Sequence, residues 1–271
     1  MTARKPWFFW LPRIVALVLF AGFIFGPLSN LLIWSVAEAW FFPNKLPSRW
    51  GFRWWEYVFR PTSPAMGSLW LSIWIAVLTT VVCLVLSIPA GLALARGRLP
   101  WRGLFLLLFL IPQAFPNLPI YISIAQIFYA LGLNGTVPGV VLVHASHGLV
   151  YSVWITTAAF AAIDPELENA ARNIGASAMR TFASISLPLA SPGIMASAIF
   201  VFLESLDEFT GSFFVGAPDV MTLPLMLYTA AAGGNIQTAS ITALILLVPS
   251  IAFMLVVERF LKADVIAKVG Q

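Results

Sequence analysis

Asp164-Pro165-Glu166-Leu167-Glu168-Asn169-Ala170-Ala171-Arg172-Asn173-Ile174-Gly175 stands between two runs without a single charged residue, 103–163 and 181–203. The stretch reads as a short helix. Asp164 is a good N-cap, and Pro165 suits the first helical position, where no amide hydrogen is needed. Glu166 falls in the first turn, where the helix dipole favours an anion. Leu167, Ala170, Ala171 and Ile174 lie at i, i+3, i+4 and i+7, which is one apolar stripe. Gly175 is placed to end the helix in the left-handed conformation. Ser177 can cap a second short helix carrying Met179, Phe182 and Ile185 on one side, closed by Pro188 and Pro192. Residues 164–190 thus form a helix–turn–helix joining two apolar segments, and a simple linker would be shorter and more polar. Its apolar stripe needs cover, either from the chain's own helix ends or from a partner.

The runs on either side decide the class. Hydrophobic residues make up 60% of the 271-residue chain and charged residues 10%, against roughly 45–50% and about 25% in soluble domains. Mean hydropathy is +0.92. So little charge cannot coat a soluble protein of this size, and the chain is read as an integral membrane protein. The net charge of +4 is scattered between apolar runs, which gives no nucleic-acid patch. Cys83 is the sole cysteine, so no intramolecular disulfide can form.

A spanning helix needs about 20 apolar residues. Uncharged runs cover 14–37, 61–95, 103–163, 181–203 and 220–257, and the long third run is divided by Gly132-Leu133-Asn134-Gly135-Thr136-Val137-Pro138. The reading is one domain, residues 1–271, with six spans near 14–37, 68–95, 104–130, 138–162, 192–214 and 239–261. The first follows Arg4, Lys5 and Arg13 without a short apolar core and cleavage site, so it is taken as a retained span rather than a signal peptide. With both termini inside, eleven Lys and Arg fall in inner segments and four (Lys45, Arg49, Arg53 and Arg60) outside, as the positive-inside rule requires. The outer loop 38–66 carries Trp40, Phe41, Phe42, Trp50, Trp54 and Trp55. These residues suit an aromatic belt at the lipid headgroups or a docking surface. Met221–Gly234 is too short to cross and reads as an interfacial or re-entrant helix.

Ala170-Ala171, three residues, Gly175, nine residues, Ile185, one residue, Leu187-Pro188 is similar to the "EAA" loop of permease subunits of binding-protein-dependent ABC importers. The spacing holds in register, and the span count and loop position agree from the second span onward. The resemblance implies the type I ABC importer permease fold, all-α and membrane-integral, with 164–190 as a coupling helix–turn–helix between spans four and five. It implies that Glu168, Asn169, Ala170, Ala171, Arg172, Gly175, Ile185, Leu187 and Pro188 form the ATPase-coupling loop. It further implies a bacterial cytoplasmic membrane location and two separate nucleotide-binding subunits that use ATP and Mg. A second permease, a paralogue rather than a copy, and an external solute-binding protein complete the set. This chain has no glycine-rich loop followed by Lys-Ser or Lys-Thr, is not an enzyme, and binds no cofactor or metal of its own. One position departs from the family: Asn169 stands where a glutamate usually precedes the two alanines, with Glu168 one place earlier. Asn169 keeps a hydrogen-bonding group and loses the charge that commonly meets the ATPase.

Glu204, Asp207 and Glu208 fall at i, i+3 and i+4 in the fifth span, on one helical face. A span starting near Pro192 would put Glu204 about 18 Å along it, near mid-membrane, where one acid costs about 2.5–3.5 kcal/mol. Three acids facing lipid would be prohibitive. They fix helix ends in a charged network, or they line a pathway for a cationic solute, or they lie nearer the surface. Ser205-Leu206-Asp207-Glu208-Phe209 and Thr222-Leu223-Pro224-Leu225 resemble permeases of the spermidine/putrescine subgroup, which implies a polyamine-like solute. Similar stretches occur in phosphonate permeases, and the C-terminal run resembles sugar permeases. The rival reading is a self-sufficient proton-coupled transporter using these acids. His144 and His147, at i and i+3, lack a nearby third metal ligand, and Pro112, Pro116 and Pro119 interrupt the third span. No paired nucleophile and base suggests intramembrane catalysis.

Overall fold

The computed structural model describes residues 7–97 and 100–269. Arg4, Lys5 and Arg98, used above for orientation, lie outside them, as do the side chains of Arg259, Lys262 and Lys268. In chain order the elements are α1 (Trp7–Ser35), β1 (Ala37–Ala39), β2 (Arg49–Trp50), α2 (Arg53–Val58), α3 (Pro64–Arg96), α4 (Arg102–Ala114) and α5 (Asn117–Ala130). There follow α6 (Val137–Ala161), α7 (Pro165–Asn173), α8 (Ala178–Thr181), a π turn (Phe182–Ser186), α9 (Leu187–Asp207), a second π turn (Ser212–Gly216), α10 (Leu223–Ala232) and α11 (Ile236–Val269). Four described helices are long and apolar enough to cross a membrane: Trp10–Ser35, Pro64–Arg96, Val137–Ala161 and Ala178–Asp207. Shorter apolar helices include Arg102–Ile111 and Ile236–Ala252.

Two of the expected spans change shape. Residues 104–130 form not one helix but two, α4 and α5, with the break at Phe115–Pro116. Pro116 has no amide hydrogen and pushes the preceding residue out of the helical region. The fifth span starts at Leu187 rather than Pro192 and runs on from α8 without a break. The π turn makes this possible. Leu187 N donates to Phe182 O across the widened turn, so Pro188 can follow without breaking the chain of hydrogen bonds. Helix α9 then stops at Asp207, with Glu208 extended at ψ 110°.

The chain divides into two compact units. One comprises Met1–Met66 and Leu227–Ile245. In it α1 is apolar all round, the pattern of a lipid-facing span. The loop after α1 is folded: β1 and β2 pair antiparallel, Ala37 opposite Trp50, and Trp40 stacks on Trp34 with ring centroids 4.3 Å apart. Trp54 Nε1 donates to Glu38 O at 3.3 Å.

The other unit comprises Gly67–Met226 and Leu246–Gln271. Its axis is α6, the most buried of the four candidate spans, which packs chiefly on α9. Small residues let the helices approach. A Cβ on Gly91 of α3 would lie 2.9 Å from the backbone carbon of Thr156, and one on Gly193 of α9 would collide with Ala159. Hydroxyls bridge the same seam: Ser152 donates to Ser87 at 2.6 Å and pairs with Ser197 at 2.9 Å, all buried. In lipid, which gives apolar side chains no hydrophobic reason to cluster, close approach and such hydrogen bonds hold helices together. The turn 132–138 starts α6 as expected, with Gly132 and Gly135 at positive φ and Thr136 Oγ1 accepting from Gly139 N at 3.1 Å.

Candidate functional site

The helix–turn–helix forms as its sequence requires. Asp164 Oδ1 accepts from Glu166 N at 3.0 Å, and Ser177 Oγ accepts from Arg180 N at 3.3 Å. Gly175, at φ +90°, completes a Schellman ending: its N–H donates to Arg172 O, and that of Ala176 to Ala171 O, both at 3.0 Å. Two orphan carbonyls are satisfied there.

The apolar stripe does not stay on one covered side. Ala171 turns inward together with Glu168, both under a tenth exposed, while Ala170 is exposed. Leu167 is 47% exposed, Ile174 88% and Met179 74%, so the chain itself leaves them bare. Asn169 and Arg172 share this open side, as do Gly175 and Pro188, whereas Ile185 and Leu187 are half-buried. Asn169 Nδ2 reaches Glu166 Oε1 at 3.4 Å.

Glu168 is held in a way that its position in the motif does not announce. Arg96 Nε, at the end of α3, donates to both of its carboxylate oxygens at 3.2 Å. Arg96 Nη2 donates to Ile163 O at 2.5 Å, and Ser186 Oγ donates to Glu168 Oε1 at 2.9 Å. The Arg96–Glu168 pair thus joins α3, the exit of α6, α7 and the π turn that leads into α9. The sequence reading used Arg96 only as an orientation marker. An acid beside the solvated face of an amphipathic helix gives no sign that it points inward; only a basic residue at a neighbouring helix end could have suggested it.

The three acids separate by role. Helix α9 ends one turn beyond Glu204, which lies about 26 Å along it at 1.5 Å per residue. This is far from the mid-helix place expected for it. Glu204, Asp207 and Glu208 all line a cleft of about 440 Å³ together with Asn117, His147, Phe200, Leu203 and Ser250. They do not share a helical face, because Glu208 lies past the helix end: its Oε1 accepts from Gly211 N at 2.8 Å and so caps the next turn. Asp207, exposed, takes a long 3.5 Å contact from Ser250 Oγ. Glu204 Oε1 lies 3.6 Å from His147 Nε2, while its Oε2 is buried with no partner among the described residues. Behind His147, Gln113 Nε2 approaches its Nε2 at 3.4 Å, and Tyr151 OH donates to Gln113 Oε1 at 3.1 Å. Tyr151 stacks obliquely on Phe200 with ring centroids at 4.8 Å.

The two histidines go separate ways. His144 is buried between Ser205 Oγ at 2.8 Å and Ser212 Oγ at 2.9 Å, tying α6 to the end of α9 and to the second π turn. His147 faces the cleft. Asn117 and Phe200 line the cleft, and Gln113 and Tyr151 stand behind its His147. The sequence did not single these four out, since each looks like ordinary span composition until α4 to α9 are folded together, whereas His147 stood out only as half of a metal-ligand pair.

Residues 87–264 match the family described as "Binding-protein-dependent transport system inner membrane component". The putrescine transport system permease protein PotI of Escherichia coli is 27% identical over 254 residues, 90% of this chain and 86% of PotI. The trehalose transport system permease protein SugB of Mycobacterium tuberculosis is 30% identical over 193 residues, 69% of this chain and 70% of SugB. Among solved structures, a bacterial ABC transporter involved in import of the acidic polysaccharide alginate superposes with a TM-score of 0.69 at 19% identity. That match covers 96% of this chain and 99% of the other. With its apolar helices, its bare helical pair and this match over most of its length, the chain belongs to the binding-protein-dependent transport system inner membrane components, as an ABC importer permease of the type I fold.

Proposed function

We propose that the whole chain, residues 1–271, serves as one permease subunit and forms half of the pathway by which a small cationic, polyamine-like solute enters a bacterial cell. The observation that carries the coupling role is the bare apolar edge Leu167, Ile174 and Met179 on a helical pair whose inner side is pinned by Arg96 and Glu168. A rigid, water-exposed apolar edge of this kind fits a groove on another subunit. The partner is one of two nucleotide-binding ATPase subunits, which bind and hydrolyse MgATP. A paralogous second permease supplies the other half of the pathway, and an external solute-binding protein delivers the solute. Both termini face the cytoplasm of the inner membrane.

The cleft at the end of α9 supports the cation reading. It offers an exposed carboxylate at Asp207 and has Glu204 in its wall, beside the aromatic Phe200. Ammonium groups meet both kinds of surface well. The Asn117 amide and the aromatic Phe200 on the cleft wall support a second reading, a hydroxylated solute such as a sugar.

Affinity purification of the tagged chain in mild detergent tests the coupling role. A nucleotide-binding subunit should come with it, and should be lost when Leu167 and Ile174 are both changed to Asp in a chain that keeps its thermal midpoint. A folded chain that purifies alone and transports after reconstitution would overturn the proposal. Competition of labelled putrescine uptake by trehalose then separates the two solute readings.

A further inference from the structure

We infer that Arg96 is the positioning residue that makes α7 and the membrane helices move as one, so that displacement of the coupling pair by its partner reaches the α9 cleft. The inference rests on the coupling role proposed above.

Three observations lead to it. First, Arg96 spends its guanidinium on two targets that belong to different elements: the Glu168 carboxylate in α7 and the Ile163 carbonyl where α6 ends. Its planar fork can hold both at once, which a lysine's single ammonium cannot do in the same geometry. Second, Ser186 of the π turn donates to the same carboxylate, so the base of α9 is part of the junction. Third, the pair is sheltered, with side-chain exposures of 19% for Arg96 and 9% for Glu168. Solvent screening is therefore weak, and breaking one partner leaves the other buried and uncompensated.

The rest of the helical pair is held loosely. Asp164, Asn169 and Ser177 bond only within their own turns. The apolar contact of Ala171 and the half-buried Phe182, Ile185 and Leu187 can slide, because dispersion contacts carry no direction. Arg96–Glu168 is the directional tie between α7 and α3 among the described residues, and a push on Leu167 or Ile174 reaches α3, α6 and α9 through it.

The test uses the assembled complex in lipid nanodiscs and needs no known solute. In a Cys83→Ala background, Asn117→Cys places a thiol on the cleft wall, and its rate of modification by a charged methanethiosulfonate reagent is measured with and without ATP, Mg and vanadate. The intact chain should show a nucleotide-dependent change on the order of tenfold, the range of ordinary coupling between sites. Arg96→Gln should retain the ATPase subunit yet lose that change, and Arg96→Lys, which keeps the charge, should fall between. A nucleotide response at the intact level in both variants would overturn the inference. So would loss of the ATPase subunit in step with a lowered thermal midpoint in both, since Arg96 would then merely hold the fold. Failure of the proposed coupling role looks different: the chain with Arg96 intact would itself show no nucleotide response.

Discussion

Gly175 gives the sharpest test of the turn between α7 and α8. Its φ of +90° belongs to a region that L-residues with a Cβ avoid, and nothing lies within 4 Å of where that Cβ would go. A substitution there is therefore limited by the backbone alone, with no clash to repair. The left-handed conformation costs an ordinary residue about 1–2 kcal/mol, and more for a β-branched one. Such a penalty lowers the population of the native turn by a factor of about 5–30. The alternatives to the turn give up the two Schellman hydrogen bonds and swing α8 away from α7. Gly175→Val should thus leave membrane insertion and subunit yield intact while abolishing transport-coupled ATP hydrolysis. Gly175→Ala should be intermediate, and Gly175→Asn, the side chain that best tolerates this region, should come nearest to the parent. The assay is ATP hydrolysis in proteoliposomes, with and without the solute-loaded external protein. Parent-level stimulation in Gly175→Val, or an Asn variant as damaged as the Val one, would refute the reasoning.

Asp207→Asn should impair uptake of labelled putrescine without moving the thermal midpoint, since the Ser250 contact survives as a neutral hydrogen bond. Glu208→Gln should lower the midpoint as well, because it weakens a cap worth about 1 kcal/mol; equal effects of the two on uptake and stability would contradict their separate roles. His144→Ala should destabilise the chain by about 2–4 kcal/mol, from the cavity and from hydroxyls left short of a partner. Thermal unfolding in detergent reads that loss, and an unchanged midpoint would show that the buried bridge holds nothing. Gly91→Val should fail to pack, with aggregation on size-exclusion chromatography as the readout, because its Cβ has no room beside the Thr156 backbone.

Much of this was legible in the sequence because it depends on neighbours along the chain. The caps at Asp164 and Ser177 and the stop at Gly175 are each decided within four residues, and all form. Helical phase was less secure. The stripe through Leu167, Ala170, Ala171 and Ile174 straddles the boundary between inside and outside, and the pull of Arg96 on Glu168 fixes which way α7 rolls. That is a contact across 72 positions, invisible to any local pattern. The ends of the fifth span were missed for a related reason. Pro188 looks like a stop until a π turn is allowed before it, and Glu208 looks helical until its side chain is seen capping the turn that follows. The cleft was half legible: acids in an apolar run are conspicuous, whereas Asn117 and Phe200 gain meaning only once α5 and α9 are seen to share its wall.

The π turn at Phe182–Ser186 also sets an angular phase. A residue in an α-helix advances the side chains by about 100°, and a π turn holds one residue more than the α turn it replaces. Everything beyond it, from Ser197 on the seam with α6 to Phe200 and Glu204 on the cleft, is clocked by that one inserted position. The hydroxyl seam and the cleft are thus two readings of the same dial. Removing a single residue from the turn would swing them both by about a quarter of a revolution, leaving every side chain present and each facing the wrong neighbour.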